Sequence, residues 1–165
     1  MKKYEQAIRY AMQMELDGHD FFKEKSGKVA NETSRKLFLQ LADVEMEHYH
    51  FLKRHLEKYV GAETFELEER MEEIDPEIFD NRAEKEHVEE ALKESDIPDI
   101  TILRMAYLIE RDYKEFYENA AQNAEDSIIK ELFETLSKWE AGHESIFKKE
   151  YDRRMKEYMN LPWGG

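Results

Sequence analysis

"LADVEMEHYHFL", residues 41–52, comes back as "LSKWEAGHESIF" at residues 136–147. Leu41 falls on Leu136, Glu45 on Glu140 and His48 on His143, each 95 positions further on. The same shift sets Ala11 on Ala106, Glu15 on Glu110, Asp17 on Asp112, Phe21 on Phe116 and Phe22 on Tyr117. It also sets Leu37 and Phe38 on Leu132 and Phe133, and Lys53 on Lys148. Self-similarity at a fixed interval marks a repeated structural unit. Here the unit is a helical hairpin, because apolar residues recur at three- and four-residue spacing throughout both copies.

The first helix is expected over residues 3–29, with Tyr4, Ile8, Ala11, Glu15, Gly18, Phe22 and Val29 on its inner seam. The second is expected over 32–60, with Phe38, Leu41, Glu45, His48, Leu52 and Tyr59 inward and Asn31 as N-cap. The third spans 99–123 behind Pro98, which suits a first turn. The fourth spans 127–158 behind Asp126, with Leu132, Leu136, Glu140, His143, Phe147 and Tyr151 inward. The two hairpins thus occupy 3–60 and 98–158 of one 165-residue domain. Residues 61–97 have no repeat counterpart and read as a long acidic crossover with a helical patch from Pro76 to Leu92. Residues 159–165 read as an irregular tail carrying Trp163.

Composition narrows the function classes. The chain is 41% apolar and 39% charged, as long solvent-facing helices around a core require. Its formal net charge of −14 argues against a nucleic-acid partner, which needs a basic face. No run approaches the roughly 18 apolar residues of a membrane span, and charges interrupt the start too often for a signal peptide, so a cytoplasmic location is expected. Without cysteine, no disulfide, zinc ribbon or iron–sulfur centre can form from this sequence.

The seams carry a contradiction. In "YLIERDY", residues 107–113, Glu110 sits on the apolar face formed by Leu103, Tyr107, Tyr113 and Tyr117. A buried carboxylate costs several kcal/mol unless something satisfies it. Glu15 and Glu45 are 30 residues apart, as are Glu110 and Glu140. A hairpin folded midway returns each pair to one height, about 22 Å from either end. His48 and His143 follow Glu45 and Glu140 by three positions, so each Glu-x-x-His pair shares a helical face. Six polar residues, Glu15, Glu45, His48, Glu110, Glu140 and His143, therefore meet at mid-bundle. Carboxylate and imidazole donors without thiolate suit iron or manganese, and two divalent ions neutralise four carboxylates. One Glu from each of two helices and a Glu-x-x-His from each of the others is the donor set of dinuclear carboxylate bundles. Without metal, the clustered carboxylates are expected to raise one another's pKa values. His19, His50, His55 and His87 lack repeat partners and are expected at the surface, with His19 a candidate to support the site because it lies near Glu15.

Through these residues the chain resembles the ferritin-like superfamily, and within it the rubrerythrin-like diiron-carboxylate proteins. The resemblance spans nearly everything except the crossover and tail. It rests on Glu15 with Glu45-Met46-Glu47-His48, and on Glu110 with Glu140-Ala141-Gly142-His143. It implies an all-α, up-down-down-up four-helix bundle with a long crossover between helices 2 and 3. It implies two iron ions (manganese being the alternative), bridged by Glu45 and Glu140, with Glu15 and Glu110 terminal and one histidine on each. It implies an oxidoreductase that reacts with hydrogen peroxide or dioxygen, an external electron-donor protein and a homodimer.

Two departures matter. Rubrerythrins carry a rubredoxin-type domain with cysteine-held iron, and this sequence has no cysteine. They also carry an extra glutamate one turn after the third-helix ligand, where Tyr113 stands here. Tyr113 and Tyr107 flank Glu110 and are the candidates for hydrogen-bond or redox partners of the site. Gly18, the matching position on the first helix, is expected to leave room for an oxidant. Two other readings stay open: a ferroxidase or iron-storage protein without reductant turnover, and a metal-free structural bundle.

Overall fold

A computed structural model describes residues 2–61 and 97–160. The helical patch from Pro76 to Leu92, His87 and Trp163 lie outside the described residues. Four α-helices account for nearly all the rest: α1 (Glu5–Ser26), α2 (Glu32–Val60), α3 (Ile97–Gln122) and α4 (Ser127–Met159). No strand occurs among the described residues.

The helix starts follow capping chemistry. Asn31 accepts a hydrogen bond from the Ser34 N–H, and Asp126 accepts from the N–H groups of Ile128 and Ile129. Each satisfies donors that the first turn leaves without partners. Tyr4 precedes α1 and provides no capping side chain, so α1 begins at Glu5 rather than residue 3. It also stops earlier than expected. Ser26 donates its hydroxyl to the Lys23 carbonyl at 2.7 Å, closing the last turn before residue 29.

Contacts at the two ends fix the directions of the helices. Asp99, at the start of α3, accepts from the backbone N–H groups of Ala30 and Asn31 at 2.9 and 3.0 Å. At the other end the Tyr4 hydroxyl accepts from the Glu125 N–H at 2.8 Å. The beginning of α1 thus meets the end of α3, and the two run antiparallel. Phe38 contacts Phe147, and Phe51 contacts Trp139, so α2 and α4 are antiparallel too. The bundle is all-α and up-down-down-up.

Its interior has three levels. Phe22, Phe38 and Phe147 form a ring cluster with centroids 5.4–5.8 Å apart, joined by Val29, Leu37, Leu41, Leu103 and Ala106. Ile8, Ala11, Phe51, Leu52, Phe133 and Leu136 fill the opposite half. Between the two lies one polar level, where α1 to α4 contribute Glu15, Glu45, Glu110 and Glu140. All four are fully buried.

His55 corrects an expectation. It is fully buried, with its ring 4.2 Å from that of Phe51 and its Nδ1 donating to the Phe51 carbonyl at 2.7 Å. It follows His48 by seven residues, two turns along the same face. Its counterpart in the second repeat is Glu150, also buried and paired with Arg154 at 2.7 Å. Burial follows helical register, so a difference in residue type between the repeats did not mark a surface position. His50 is exposed, as expected.

Candidate metal centre

The fold brings all six sequence-selected residues together. Potential donor atoms of Glu15, Glu45, His48 and Glu140 all lie within 4.8 Å of one another. Those of Glu45, Glu110, Glu140 and His143 do the same. Glu45 and Glu140 belong to both groups, so two four-donor positions share a pair of carboxylates. His48 points Nδ1 at Glu140 (3.0 Å), Glu15 (3.3 Å) and Glu45 (3.5 Å). His143 points Nδ1 at Glu140 (3.2 Å), Glu110 (3.5 Å) and Glu45 (3.9 Å). The two imidazoles are nearly parallel, with centroids 5.7 Å apart.

Several buried oxygens have no hydrogen bond among the described residues: both of Glu45, both of Glu110 and, although His48 Nδ1 lies 3.0 Å from it, Oε1 of Glu140. Buried polar atoms are rarely left so, and five of them gathered in two adjoining donor groups are the pattern that cations resolve. Hard oxygen donors with one imidazole per position fit iron or manganese.

Electrostatics agree in part with the sequence expectation. Burial, then the charges of Glu140 and Glu15, push the Glu45 carboxyl well above the usual 4.5. Burial, then Glu45 and Glu140, do the same to Glu110. Glu140 goes the other way: burial opposes its ionisation, but the flanking imidazoles of His48 and His143 overcome that and lower its pKa. His48 is the reciprocal case. Burial disfavours its charge, and Glu140 and Glu15 raise it well above 6.5 nonetheless. On balance, burial and crowding thus favour the protonated forms of Glu45, Glu110 and His48 in this cluster.

The surrounding aromatics differ from the sequence selection. Tyr117 is fully buried and donates its hydroxyl to Glu15 Oε1. It follows Glu110 by seven residues, on the same face, and replaces Phe22 of the first repeat. That added hydroxyl on a seam was the available signal. Tyr113 lies near the cluster but donates to the Met14 carbonyl at 2.7 Å. Burial, then the charges of Glu45 and Glu15, raise its pKa, so the hydroxyl stays protonated. Tyr107 instead packs on Tyr151, 5.3 Å between centroids, beneath Arg111 and Lys148. The room expected beside Gly18 is taken. A Cβ there would meet Tyr113 Cε2 at 3.1 Å and Glu45 Cγ at 3.4 Å, so the glycine admits the tyrosine ring, not an oxidant. His19 is half-buried, and its Nδ1 donates to the Ala42 carbonyl at 2.6 Å, tying α1 to α2 rather than supporting a donor. Trp139, half-buried, stacks on His48 at 5.2 Å and 16°.

The family model described as Rubrerythrin matches residues 6–151, which takes in most of both hairpins and all six residues of the cluster. The chain belongs to the rubrerythrin family. Neither the curated proteins nor the solved structures returned a match. The buried carboxylate and histidine cluster of this rubrerythrin-family chain could hold metal. No helix among the described residues is long and apolar enough to cross a membrane.

Proposed function

We propose that the chain, as one ferritin-like domain, is a dinuclear iron oxidoreductase that reduces hydrogen peroxide or dioxygen and is itself reduced by an external donor protein. The observation that carries the reading is the pair of four-donor groups sharing Glu45 and Glu140. Glu15 and Glu110 would be terminal ligands, His48 and His143 would hold one ion each, and manganese is the alternative metal. Two reduced iron ions bound there would supply the two electrons that the oxidant takes up.

The remaining work falls to the chain itself. The apolar clusters above and below exclude water, which strengthens every charge interaction at the polar level. Tyr117 holds Glu15 in one orientation through its hydroxyl. Trp139 covers the face of His48. Tyr113, anchored to the Met14 carbonyl, closes the gap at Gly18. The sequence has no cysteine, so a cysteine-held iron centre that passes electrons to the site would lie outside these 165 residues.

Anaerobic iron(II) loading followed by desalting and mass spectrometry tests the metal content, with about two irons per chain expected. Stopped-flow oxidation of that protein by peroxide or dioxygen should outpace that of free iron(II). An iron content near zero, or oxidation no faster than in buffer, would overturn the proposal. Particle size discriminates the storage alternative: a hollow shell taking up many irons per chain would favour it, and a small oligomer such as a homodimer the oxidoreductase.

A further inference from the structure

The internal repeat makes the two metal positions formal counterparts, so any difference between them is visible residue by residue. Glu15 accepts hydrogen bonds from the Tyr117 hydroxyl and has His48 Nδ1 at 3.3 Å. Glu110, its counterpart, has His143 Nδ1 at 3.5 Å but no hydroxyl donor, and neither of its oxygens has a hydrogen bond among the described residues. The reason is one substitution between the repeats. The residue corresponding to Tyr117 is Phe22, fully buried, stacked on Phe147 at 5.8 Å and without a hydroxyl to donate. The histidines differ in the same sense. His48 is 1% exposed and lies against Trp139. His143 is 7% exposed, and the counterpart of Trp139 is Val44, which has no ring to stack. The close approach of Tyr113 to Gly18 also falls on the Glu15 helix, beside Glu45.

We infer that the two positions are unequal: the one framed by Glu15 and His48 is prearranged and fills first, and the one framed by Glu110 and His143 is the weaker, exchangeable one. This rests on the metal reading above and adds a regulatory consequence to it. A two-electron centre needs both ions, so ambient metal supply would set how much of the protein is competent, through the second position alone. Tyr117 is a positioning residue here, acting on the terminal carboxylate of Glu15 and not on an oxidant, and Phe22 has no group to do the same for Glu110.

The test is an anaerobic titration of the full metal-free chain with cobalt(II), followed by visible absorption and calorimetry. Two binding steps are expected, separated by at least about tenfold, since outer hydrogen bonds to ligands are typically worth 10–100-fold in metal affinity. Tyr117→Phe should weaken the tighter step by about that factor and bring the two together. His143→Ala should remove the weaker step and keep the tighter. Phe22→Tyr should tighten the weaker step. If the added hydroxyl disturbs packing in that variant, the other two carry the result. Two wild-type steps of equal affinity would overturn the inequality while leaving the dinuclear reading intact. So would a Tyr117→Phe protein in which the weaker step moves and the tighter does not. No cobalt binding at all would overturn both.

Discussion

Glu45 belongs to both four-donor groups and is the least comfortable residue of the buried polar level. It is fully buried, neither oxygen accepts a hydrogen bond among the described residues, and Glu140 and Glu15 lie close by. Replacement by Gln keeps the shape and removes the need for a proton or a cation. Glu45→Gln should therefore abolish dinuclear loading, measured as metal per chain. The same change should leave the metal-free protein as stable as before, or more stable by on the order of 1–3 kcal/mol at neutral pH. A fall in metal-free stability on denaturant titration would mean the carboxyl itself supports the fold. Protonation sets the pH dependence. The folded pKa values of Glu45 and Glu110 are raised above 4.5, so the stability they contribute is present below 4.5 and is lost as pH rises through the raised values. His48, raised above 6.5, likewise loses its contribution as pH climbs past its folded value. Glu140, lowered, loses its contribution only in acid below 4.5. A metal bound at these donors would replace the same protons, so the gain in melting temperature on metal loading should widen from about pH 5 to about pH 8. A gap that is constant or narrows with pH would contradict this.

Among the helices, the hairpins depend on small polar fastenings at their ends. Asp126 caps only its own helix, through Ile128 and Ile129. Asp99 is fully buried and holds the turn between α1 and α2 against the start of α3 through two backbone N–H groups. Asp126→Ala should cost about 1 kcal/mol, the usual loss for an N-cap. Asp99→Ala should cost more, about 2–3 kcal/mol, because it leaves two N–H groups without their charged acceptor. Thermal melting of the two variants ranks them, and equal losses would show the Asp99 bridge to be no more than a local cap. These fastenings were unequally legible. Asn31 and Asp126 are short-range signals, each preceding an apolar seam, and could be read from the chain. Asp99 bonds residues 68 and 69 positions away, and no local pattern announces that.

For the whole molecule, two apolar clusters grip a layer of buried carboxylates and imidazoles, and a bound metal would relieve it. Ligand present at a hundred times its dissociation constant stabilises by about 2.7 kcal/mol. For a chain of this size each kcal/mol moves the melting temperature by about 2–4 °C. Saturating iron(II) under anaerobic conditions should raise it by roughly 5–10 °C, and a chelator should reverse the gain. Scanning calorimetry checks both directions, and a melting temperature indifferent to metal would point to a bundle stable without it.

The sequence by itself determined the helices, their approximate ends, the two-hairpin repeat and the set of six residues at one height. These follow from helical periodicity and equal arm lengths, both of which are local or additive along the chain. Position 55 was legible in principle too, since it lies on the seam, but comparing residue types hid what register alone would have shown. Only the tertiary structure decided how other helices complete the site. The Tyr117 hydroxyl reaches Glu15 across 102 residues of sequence, and Tyr113 reaches Met14 across 99. Whether Gly18 opens a pocket or receives a ring depends on how closely α1 and α3 approach. Those outcomes belong to side-chain packing between helices, where the distance between two surfaces sets which atoms meet, and no spacing along one chain encodes that distance.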